Sequence, residues 1–168
     1  SAPGEPAALA AEFAEWCEPV RRVIGALDST FRWGLYDREP LATWTRGRVA
    51  LVGDAAHAML PHAGQGANQS IEDAGALGVL LADRSAEELP AALAEYETTR
   101  RDRASFLQRY TRRLGLIYDG REYELPPDDE LASRADIDAW TKAHDVLTEA
   151  ARVRAGGAPD PIPAGRPV

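Results

Sequence analysis

The distribution of apolar residues predicts helices over most of the chain. Leu9, Phe13 and Trp16 recur three or four residues apart, and Pro19 suits the first turn of a helix, so two helices are expected at about 7–17 and 19–27. Helical spacing returns at about 67–81, 90–117 and 135–151. The positions that carry these three predictions are Ile71, Ala74, Leu77 and Leu81, then Leu93, Tyr96, Phe106, Tyr110, Leu114 and Ile117, then Ile137, Trp140, His144 and Leu147.

Two short stretches have the pattern of β-strands instead. Phe31, Trp33 and Leu35 alternate with other residues, which is the period of a half-buried strand. The run at 49–52 is apolar without alternation and stops at Gly53, which predicts a strand buried on both faces. Such a strand requires neighbours in a sheet, and the rest of the chain has few. The expected fold class is therefore an α+β fragment, mostly helical with a few strands.

Composition narrows the classes of partner. The chain has 168 residues, of which 45% are apolar, and its net charge is −8. That length is enough for one compact domain with a core, and the negative charge argues against nucleic acid or an anionic membrane as a partner. No run approaches the roughly 18 consecutive apolar residues of a membrane span. We expect a soluble, cytoplasmic protein whose partners are small molecules or protein.

Three further features have plain structural interpretations. Cys17 is the only cysteine, cannot form an internal disulfide, and is expected to be a small buried residue. His144 lies on the apolar side of its predicted helix, and we interpret it as a packed core histidine with satisfied hydrogen bonds rather than a ligand. Arginines alternate with acidic residues along the 90–117 helix, so a solvated face is expected there. They are Arg100, Arg101, Arg103, Arg109, Arg112 and Arg113.

The segment from Gly47 to Asp73, GRVALVGDAAHAMLPHAGQGANQSIED, carries the candidate chemistry. It combines a predicted strand, a Gly-Asp pair at the strand's carboxyl end, a proline, a glycine-rich loop and the start of a helix. Ligands of open α/β sheets bind at the carboxyl ends of strands, and a helix N-terminus offers free N–H groups with a partial positive charge. Gly64 and Gly66 allow the backbone to approach a flat or anionic group, and Asn68 can cap the helix or donate its side-chain amide.

Three other kinds of site fit this segment less well. No Gly-Lys-Ser or Gly-Lys-Thr follows the glycines, which excludes a P-loop, and the third glycine of a dinucleotide fingerprint is missing. Asp54, His57 and His62 are residue types that ligate metals, but their spacing matches no common ligand pattern and no cysteine joins them. We therefore predict no metal site.

The order of residues in the segment resembles the second flavin motif of the group A FAD-dependent monooxygenases, a family that includes salicylate hydroxylase and para-hydroxybenzoate hydroxylase. The resemblance rests on GDAAH at 53–57, Pro61, GQGAN at 64–68 and EDA at 72–74. It implies that Asp54 binds the ribityl chain of FAD and that the glycine-rich loop lies against the pyrimidine edge of the isoalloxazine. The implied cofactor-binding residues are Gly53, Asp54, Pro61, Gly64, Gln65, Gly66, Ala67 and Asn68. His57 is interpreted as structural, and no catalytic residue is assigned.

The resemblance also implies an activity. In the family, NAD(P)H reduces FAD, oxygen adds at the flavin C4a position, and the hydroperoxide hydroxylates an aromatic or similar substrate. The helix that starts near Asn68 would direct its positive end at flavin N1 and O2, where the reduced flavin carries negative charge. The order of a helical pair, a strand, a tryptophan before the Gly-Arg-Val strand and a later Tyr-Glu-x-x-Arg helix extends the likeness over about 12–115. Tyr96, Glu97 and Arg100 are the matching positions in that helix.

The chain lacks two other parts of the family's pattern, the G-x-G-x-x-G unit for the ADP pyrophosphate and a middle Asp-Gly motif. We therefore expect the C-terminal portion of an FAD-binding α/β monooxygenase fold. The missing N-terminal half is either truncated from this chain or supplied by another polypeptide, or self-association takes its place. The expected parts are the end of a substrate-binding domain at 1–45, a flavin-facing part at 46–118, a C-terminal helical segment at 119–154 and a disordered tail at 155–168.

Two alternatives stay open. The first is a non-catalytic helical module that cannot keep FAD by itself, which the absence of yellow flavin after purification would favour. The second is a ubiquinone-biosynthesis-type hydroxylase, because its glycine-rich loop is similar and the residues that would separate the two lie in the absent substrate domain.

Overall fold

The computed structural model describes residues 1–121 and 133–163. The chain divides into two compact units, Ser1–Leu35 and Tyr36–Val168. The expected division into functional parts at 45/46 stays a prediction. Residues 36–45 belong to the second unit because they bond within it: Arg112 pairs with Asp37 at 2.7 Å, and the backbone N–H of Trp44 donates to Glu97 at 2.9 Å.

The first unit consists of two short strands and two helices. Strand β1 (Ala2–Gly4) pairs antiparallel with β2 (Thr30–Arg32), and between them lie α1 (Pro6–Glu12) and α2 (Glu18–Gly25). Both predicted helices are present, each with a proline in its first turn. Cys17 immediately precedes α2 and is exposed, so its predicted burial is wrong. Trp16 beside it is 56% exposed, which shows that this turn contributes nothing to a core.

The second unit contains a two-stranded hairpin followed by helices. Strand β3 (Thr45–Arg46) pairs antiparallel with β4 (Val49–Ala50), and α3 (Asp54–His57), α4 (Gly66–Leu81) and α5 (Leu89–Tyr118) follow. Helices α6 (Arg134–Ala143) and α7 (Val146–Arg154) come after the undescribed residues 122–132. No helix in the described part of the chain is both long and apolar enough to cross a membrane.

Strand β4 is shorter and less buried than the sequence predicts. Val49 is 67% exposed and Val52 is 39% exposed, so the prediction of a strand buried on both faces is wrong for this chain. The reason is that β3 is its only partner strand among the described residues. The carboxyl end of the segment is nevertheless fixed, because Leu51 N–H donates to the Trp44 carbonyl and Tyr96 OH donates to the Leu51 carbonyl.

The core of the second unit consists of two apolar clusters, one between α4, α5 and α7 and one between α5 and α6. One apolar cluster comprises Trp44, Ala56, Ala76, Leu80, Tyr96, Ala104 and Ala150, and a second comprises Phe106, Leu107, Tyr110, Leu114 and Ile137. The predicted apolar stripe of α5 is confirmed, whereas Ile71 on α4 is 70% exposed. The buried positions of α4 are Gln69, Asp73, Ala76 and Leu80 instead.

The helix predicted over 135–151 is two helices. The helical conformation is interrupted at His144 and Asp145. The Asp145 carboxylate accepts hydrogen bonds from the N–H groups of Leu147 and Thr148 and so caps the second helix. Residues 155–163, within the tail expected to be disordered, form no helix or strand but are anchored. Asp160 pairs with Arg152 at 2.6 Å and its N–H donates to Glu149. Residues 164–168 lie outside the described part.

Candidate functional site

A cleft of about 560 Å³ lies where β4 ends and α4 begins. Its size falls within the range of about 300–1,000 Å³ that small-molecule sites occupy. The structure brings five of the eight sequence-predicted cofactor residues onto its wall and adds two residues that the sequence analysis missed. The wall consists of Asp54, Met59, Pro61, Gly64, Gly66, Ala67 and Ser70.

The other three predicted residues do not line the cleft. Gly53 is buried behind it, and Gln65 and Asn68 lie beside its wall. Asn68 does not cap α4: its side-chain amide donates to the Gly64 carbonyl at 3.3 Å, which closes the glycine-rich turn. Ser70 lies one helical turn after Gly66 and bonds back to its carbonyl, so helical spacing from the motif was the signal that could have identified it.

Glycine is required at two positions of this segment. Gly53 has φ +60°, and a Cβ there would lie 2.9 Å from the Ser70 hydroxyl oxygen, so the turn approaches α4 too closely for a side chain. Gly64 has φ +63° in the left-handed region, and the space around it is open. Gly66, by contrast, has an ordinary helical backbone, and a Cβ there would meet only Met59, at 4.0 Å.

The N-terminus of α4 has unsatisfied donors at the cleft. Gln65 occupies the N-cap position and its side chain accepts no hydrogen bond from the helix. The first N–H groups of a helix have no intrahelical partner, and together they carry a partial positive charge. A ligand with acceptor oxygens or negative charge could therefore serve as the cap that the sequence does not provide.

Behind the cleft, the carboxylate of Asp73 holds the segment together. It is fully buried and accepts hydrogen bonds from Gly53 N–H at 2.9 Å, from Arg100 Nε at 3.0 Å and from His57 Nε2 at 2.7 Å. An ionised carboxylate only accepts, so His57 carries its proton on Nε2. His57 therefore acts through Asp73, in agreement with its structural interpretation.

Arg100 and Arg103 extend this network between α4 and α5. Arg100 also donates to Glu72 at 2.5 Å and to the Gln69 side chain at 2.7 Å. Two nitrogens of Arg103 donate to the Glu72 carboxylate, at 2.9 and 3.1 Å. Both arginines are buried, so the predicted solvated face is wrong at these two positions. Arginine suits both positions, because its planar fork lets Arg100 bind Asp73 and Glu72 at once and lets Arg103 bind Glu72 through two nitrogens.

Tyr96, Glu97 and Arg100, the residues of the Tyr-Glu-x-x-Arg sequence, form hydrogen bonds that attach the β3–β4 hairpin and α4 to α5. Tyr96 OH donates to the Leu51 carbonyl, and Arg100 binds Asp73 as described. Glu97 accepts from the backbone N–H groups of Trp44 and Thr45 at 2.9 Å and from two threonine hydroxyls. None of the three lines the cleft, so each positions the site rather than touching a ligand in it.

The electrostatics favour fully ionised carboxylates in this network. Burial alone would raise the pKa of Asp73, but the His57 hydrogen bond and the Arg100 charge outweigh it and lower the pKa. The same balance lowers the pKa of Glu72, where the hydrogen bond from Arg103 is the larger favourable contribution. The carboxylates of Asp73 and Glu72 are thus held in their ionised form.

The wall of the cleft matches a flat group attached to a polar chain. Asp54 is exposed at the start of α3 and offers a carboxylate acceptor, the start of α4 offers donors, and Gly64 and Gly66 leave room for close approach. No side chain on this wall is a nucleophile or base oriented by a second group, so the described residues indicate a binding site rather than a complete catalytic one.

Comparison with known proteins agrees with this arrangement. A family model described as an FAD binding domain matches residues 24–111. The 3-amino-4-hydroxybenzoate 2-monooxygenase PtnB3 of Streptomyces platensis is 43% identical over 126 residues, which are 75% of this chain and 30% of that protein. A salicylate hydroxylase of Pseudomonas putida is 37% identical over 150 residues, 85% of this chain and 34% of that protein.

Solved structures share the fold. A salicylate hydroxylase substrate complex matches with a TM-score of 0.69 and 36% identity, over 90% of this chain and 38% of the other. FqzB matches with a TM-score of 0.67 and 27% identity, over 96% of this chain and 41% of the other. These matches confirm the expected fold, and the chain spans about a third of the length of the curated relatives. Because the family model covers more than half of it, this chain belongs to the FAD binding domain family.

Proposed function

We propose that this chain is the flavin-facing portion of an FAD-dependent monooxygenase that hydroxylates an aromatic substrate. The observation that carries the proposal is that five motif residues and the uncapped start of α4 meet on one cleft of suitable size. The relatives support the reaction class, since those named above are a salicylate hydroxylase and a monooxygenase of an aminohydroxybenzoate. Aromatic acids are therefore the substrate class that we propose for the complete protein.

In this proposal, FAD supplies the redox chemistry by accepting reducing equivalents from NAD(P)H and activating oxygen. The residues of this chain bind and orient it. Asp54 would accept a hydrogen bond from a hydroxyl of the ribityl chain, and Gly64 and Gly66 would let the backbone approach the ring system. The N–H groups at the start of α4 would stabilise negative charge on the ring system and so favour the reduced cofactor.

The network around Asp73 gives the site its rigidity. It joins the Gly53 turn, α3 and α5, so Asp54 and the start of α4 are held at fixed positions relative to each other. A binding group held by buried partners loses little entropy when the ligand arrives. Asp73 and Arg100 are accordingly positioning residues of the proposed flavin site.

Gly66→Val tests the location of the flavin. The substitution adds a side chain on the cleft wall, where the structure has space in the absence of a ligand, so the fold should persist while FAD is excluded. We expect a loss in FAD affinity of at least about tenfold, or about 1.4 kcal/mol, in a fluorescence titration of the complete protein. Asp54→Ala should lose about 1.5–3 kcal/mol through its charge-assisted hydrogen bond.

Gly78→Val is the matched control for this experiment. Gly78 lies on the same helix, a Cβ there would meet nothing within 4 Å, and it does not border the cleft. Its FAD affinity should stay within about twofold of the unsubstituted protein. If Gly66→Val and Asp54→Ala bind FAD as tightly as this control, the cleft is not the flavin site.

A further inference from the structure

His144 lies in the break between α6 and α7, and only 3% of its side chain is exposed. Its burial agrees with the sequence interpretation of a packed histidine, but its hydrogen bonds are not satisfied. Nε2 of His144 and Oε2 of Glu149 both lack a hydrogen-bond partner among the described residues. These two atoms face each other at 3.3 Å, and the Glu149 side chain is also only 3% exposed. Buried polar atoms without partners are rare in folded proteins and require an explanation.

The local fold holds these groups in place. Asp145 caps α7, which fixes Glu149 one turn into the helix, and Oε1 of Glu149 accepts the Asp160 N–H at 2.6 Å. Arg152 anchors the same segment by binding Asp160 at 2.6 Å and the Ala158 carbonyl at 2.9 Å. The second oxygen of Asp160 lies 3.7 Å from Nδ1 of His144. The His144 imidazole, from the break before α7, thus lies near the Glu149 carboxylate on α7 through Nε2 and near the Asp160 carboxylate, in the segment after α7, through Nδ1.

The charges around this cluster leave one carboxylate without a cation. Arg103 pairs with Glu72, and Arg152 pairs with Asp160. In the part of the chain that the structure describes, no lysine or arginine lies within ion-pair distance of Glu149. Burial raises the pKa of Glu149, as expected for a carboxylate that lacks a compensating charge. Burial, together with the charge of Arg103, lowers the pKa of His144, which keeps the imidazole in the neutral form that ligates metals.

We propose that His144, Glu149 and Asp160 bind a divalent transition-metal ion of the Zn²⁺ type. One ligand atom from each of the three residues lies within 4.8 Å of the other two. Tetrahedral zinc has nitrogen and oxygen ligands at about 2.0–2.2 Å, which places neighbouring ligand atoms about 3.3–3.5 Å apart. The 3.3 Å separation of Nε2 and Oε2 already has this value. Arg152 binds Oδ1 of Asp160, which leaves Oδ2 of this 40% exposed side chain as the oxygen that can turn to the metal.

A small cavity supplies room for a further ligand. It has a volume of about 50 Å³, and the three proposed ligands line it together with Thr98, Arg103 and Trp140. Water occupies about 30 Å³ in the liquid, so one molecule fits as the fourth ligand. A mixed set of one imidazole and two carboxylates favours Zn²⁺ or Co²⁺ over Ca²⁺, which prefers six to eight oxygens.

Two neighbours affect a cation here, one by its charge and one by competing for a ligand atom. Arg103 borders the cavity and its charge opposes a cation, but two of its nitrogens bind Glu72, which offsets part of that charge. Its Nη1 has no hydrogen-bond partner among the described residues. Glu72 also lies 3.5 Å from Nε2 of His144, yet Arg100 and Arg103 hold it, so it competes weakly for that nitrogen. The metal would tie residues 155–163 to the helices and does not depend on the proposed flavin chemistry.

The test is metal binding to the tag-free, metal-depleted chain carrying Cys17→Ser, because the exposed thiol of Cys17 would otherwise bind the same ions. We expect Co²⁺ to bind in a 1:1 ratio with a visible absorption band of tetrahedral geometry, Zn²⁺ to displace it, and either ion to raise the melting temperature. Glu149→Gln and Asp160→Asn should each weaken binding by at least about tenfold. His62→Gln, which removes a histidine outside the cluster, should change affinity by less than about twofold.

Circular dichroism of each variant verifies that it folds. Asp160→Asn is less disruptive to folding than Glu149→Gln, because the Asp160 side chain is partly exposed. Absence of the Co²⁺ band and of a thermal shift would overturn the proposal, as would equal affinity in Asp160→Asn and the parent. Glu149→Gln could instead prove more stable than the parent, with no metal-induced rise in melting temperature in either protein. His144 and Glu149 would then share a proton, and the metal assignment would be wrong.

Discussion

The carboxylate of Asp73 receives hydrogen bonds from the Gly53 turn, α3 and α5, so one buried charge connects three parts of the second unit. Asp73→Asn should lower the free energy of unfolding by about 3 kcal/mol, because the buried donors around Asp73 lose their charged acceptor. The loss is limited to this size because Glu72 still pairs with Arg100. Urea denaturation of the chain measures this. Asp54→Asn, the same chemical change at an exposed position, should alter stability by less than about 0.5 kcal/mol. Equal losses in both variants would contradict the assigned roles.

The same carboxylates determine how stability depends on pH. The pKa values of Asp73 and Glu72 are lowered in the folded state. Groups of this kind stabilise the fold above their unfolded pKa of about 4, and the contribution is lost as pH falls through the lower folded value. The free energy of unfolding should therefore fall steeply below about pH 4, and less steeply in Asp73→Asn. Urea titrations at a series of fixed pH values test this, and superimposable slopes would be inconsistent with it.

At the residue scale, the sequence predicted the residues on the wall of the cleft better than the buried ion pairs behind that wall. Asp54, Pro61, Gly64 and Gly66 follow from a local motif, and the structure places all four together. The burial of Arg100 could not be predicted in the same way, because its partner Asp73 lies 27 residues away on another helix. Hydrophobic periodicity treats both as surface residues, since it does not recognise a buried ion pair.

At the scale of elements, the long helices were predicted well and the hairpin was not. Helix α4 begins two residues before Asn68, and α5 begins one residue before Pro90, because continuous periodicity and local start signals define them. The exposure of Val49 has a different origin. A strand's burial depends on neighbouring strands, and β3 is its only partner among the described residues.

The break between α6 and α7 depends on one cap. Asp145→Ala removes the carboxylate that accepts from Leu147 and Thr148, so the free energy of unfolding should fall by about 1 kcal/mol. Asp145→Asn is the matched control, because asparagine caps helices about as well as aspartate and should retain most of this stability. Thermal and urea denaturation of both variants provide the comparison. A loss in the asparagine variant as large as in the alanine variant would show that charge rather than capping is responsible.

At the scale of the molecule, the first unit exposes an unusual amount of apolar surface. Phe31 is 63% exposed, Trp33 is 71% exposed and Leu35 is 59% exposed, while Trp16 and Val23 are exposed on the helical part of the same unit. Large exposed apolar patches mark surfaces that are covered in the functional state. We propose that a second copy of this chain covers them when the chain is isolated.

This surface and the restricted set of flavin contacts give one prediction for the isolated chain. In the proposed site the cleft would contact the ring and ribityl chain only, and the described residues include no glycine-rich βαβ unit for the pyrophosphate of FAD. Affinity for FAD should therefore be weak, and the exposed aromatic residues should drive self-association. Size-exclusion chromatography with light scattering, together with an absorbance scan for bound flavin, should show a colourless oligomer.

A variant with Phe31→Ser and Trp33→Ser separates the two parts of this prediction. Both side chains are exposed and contact each other at a ring-centroid distance of 5.1 Å, so replacing them removes apolar surface without disturbing a core. The variant should shift toward monomer while its affinity for FAD stays as weak as before, because neither residue borders the cleft. A monomer that carries one FAD per chain before any substitution would contradict both parts, since the cleft contacts alone would then be sufficient to retain the cofactor.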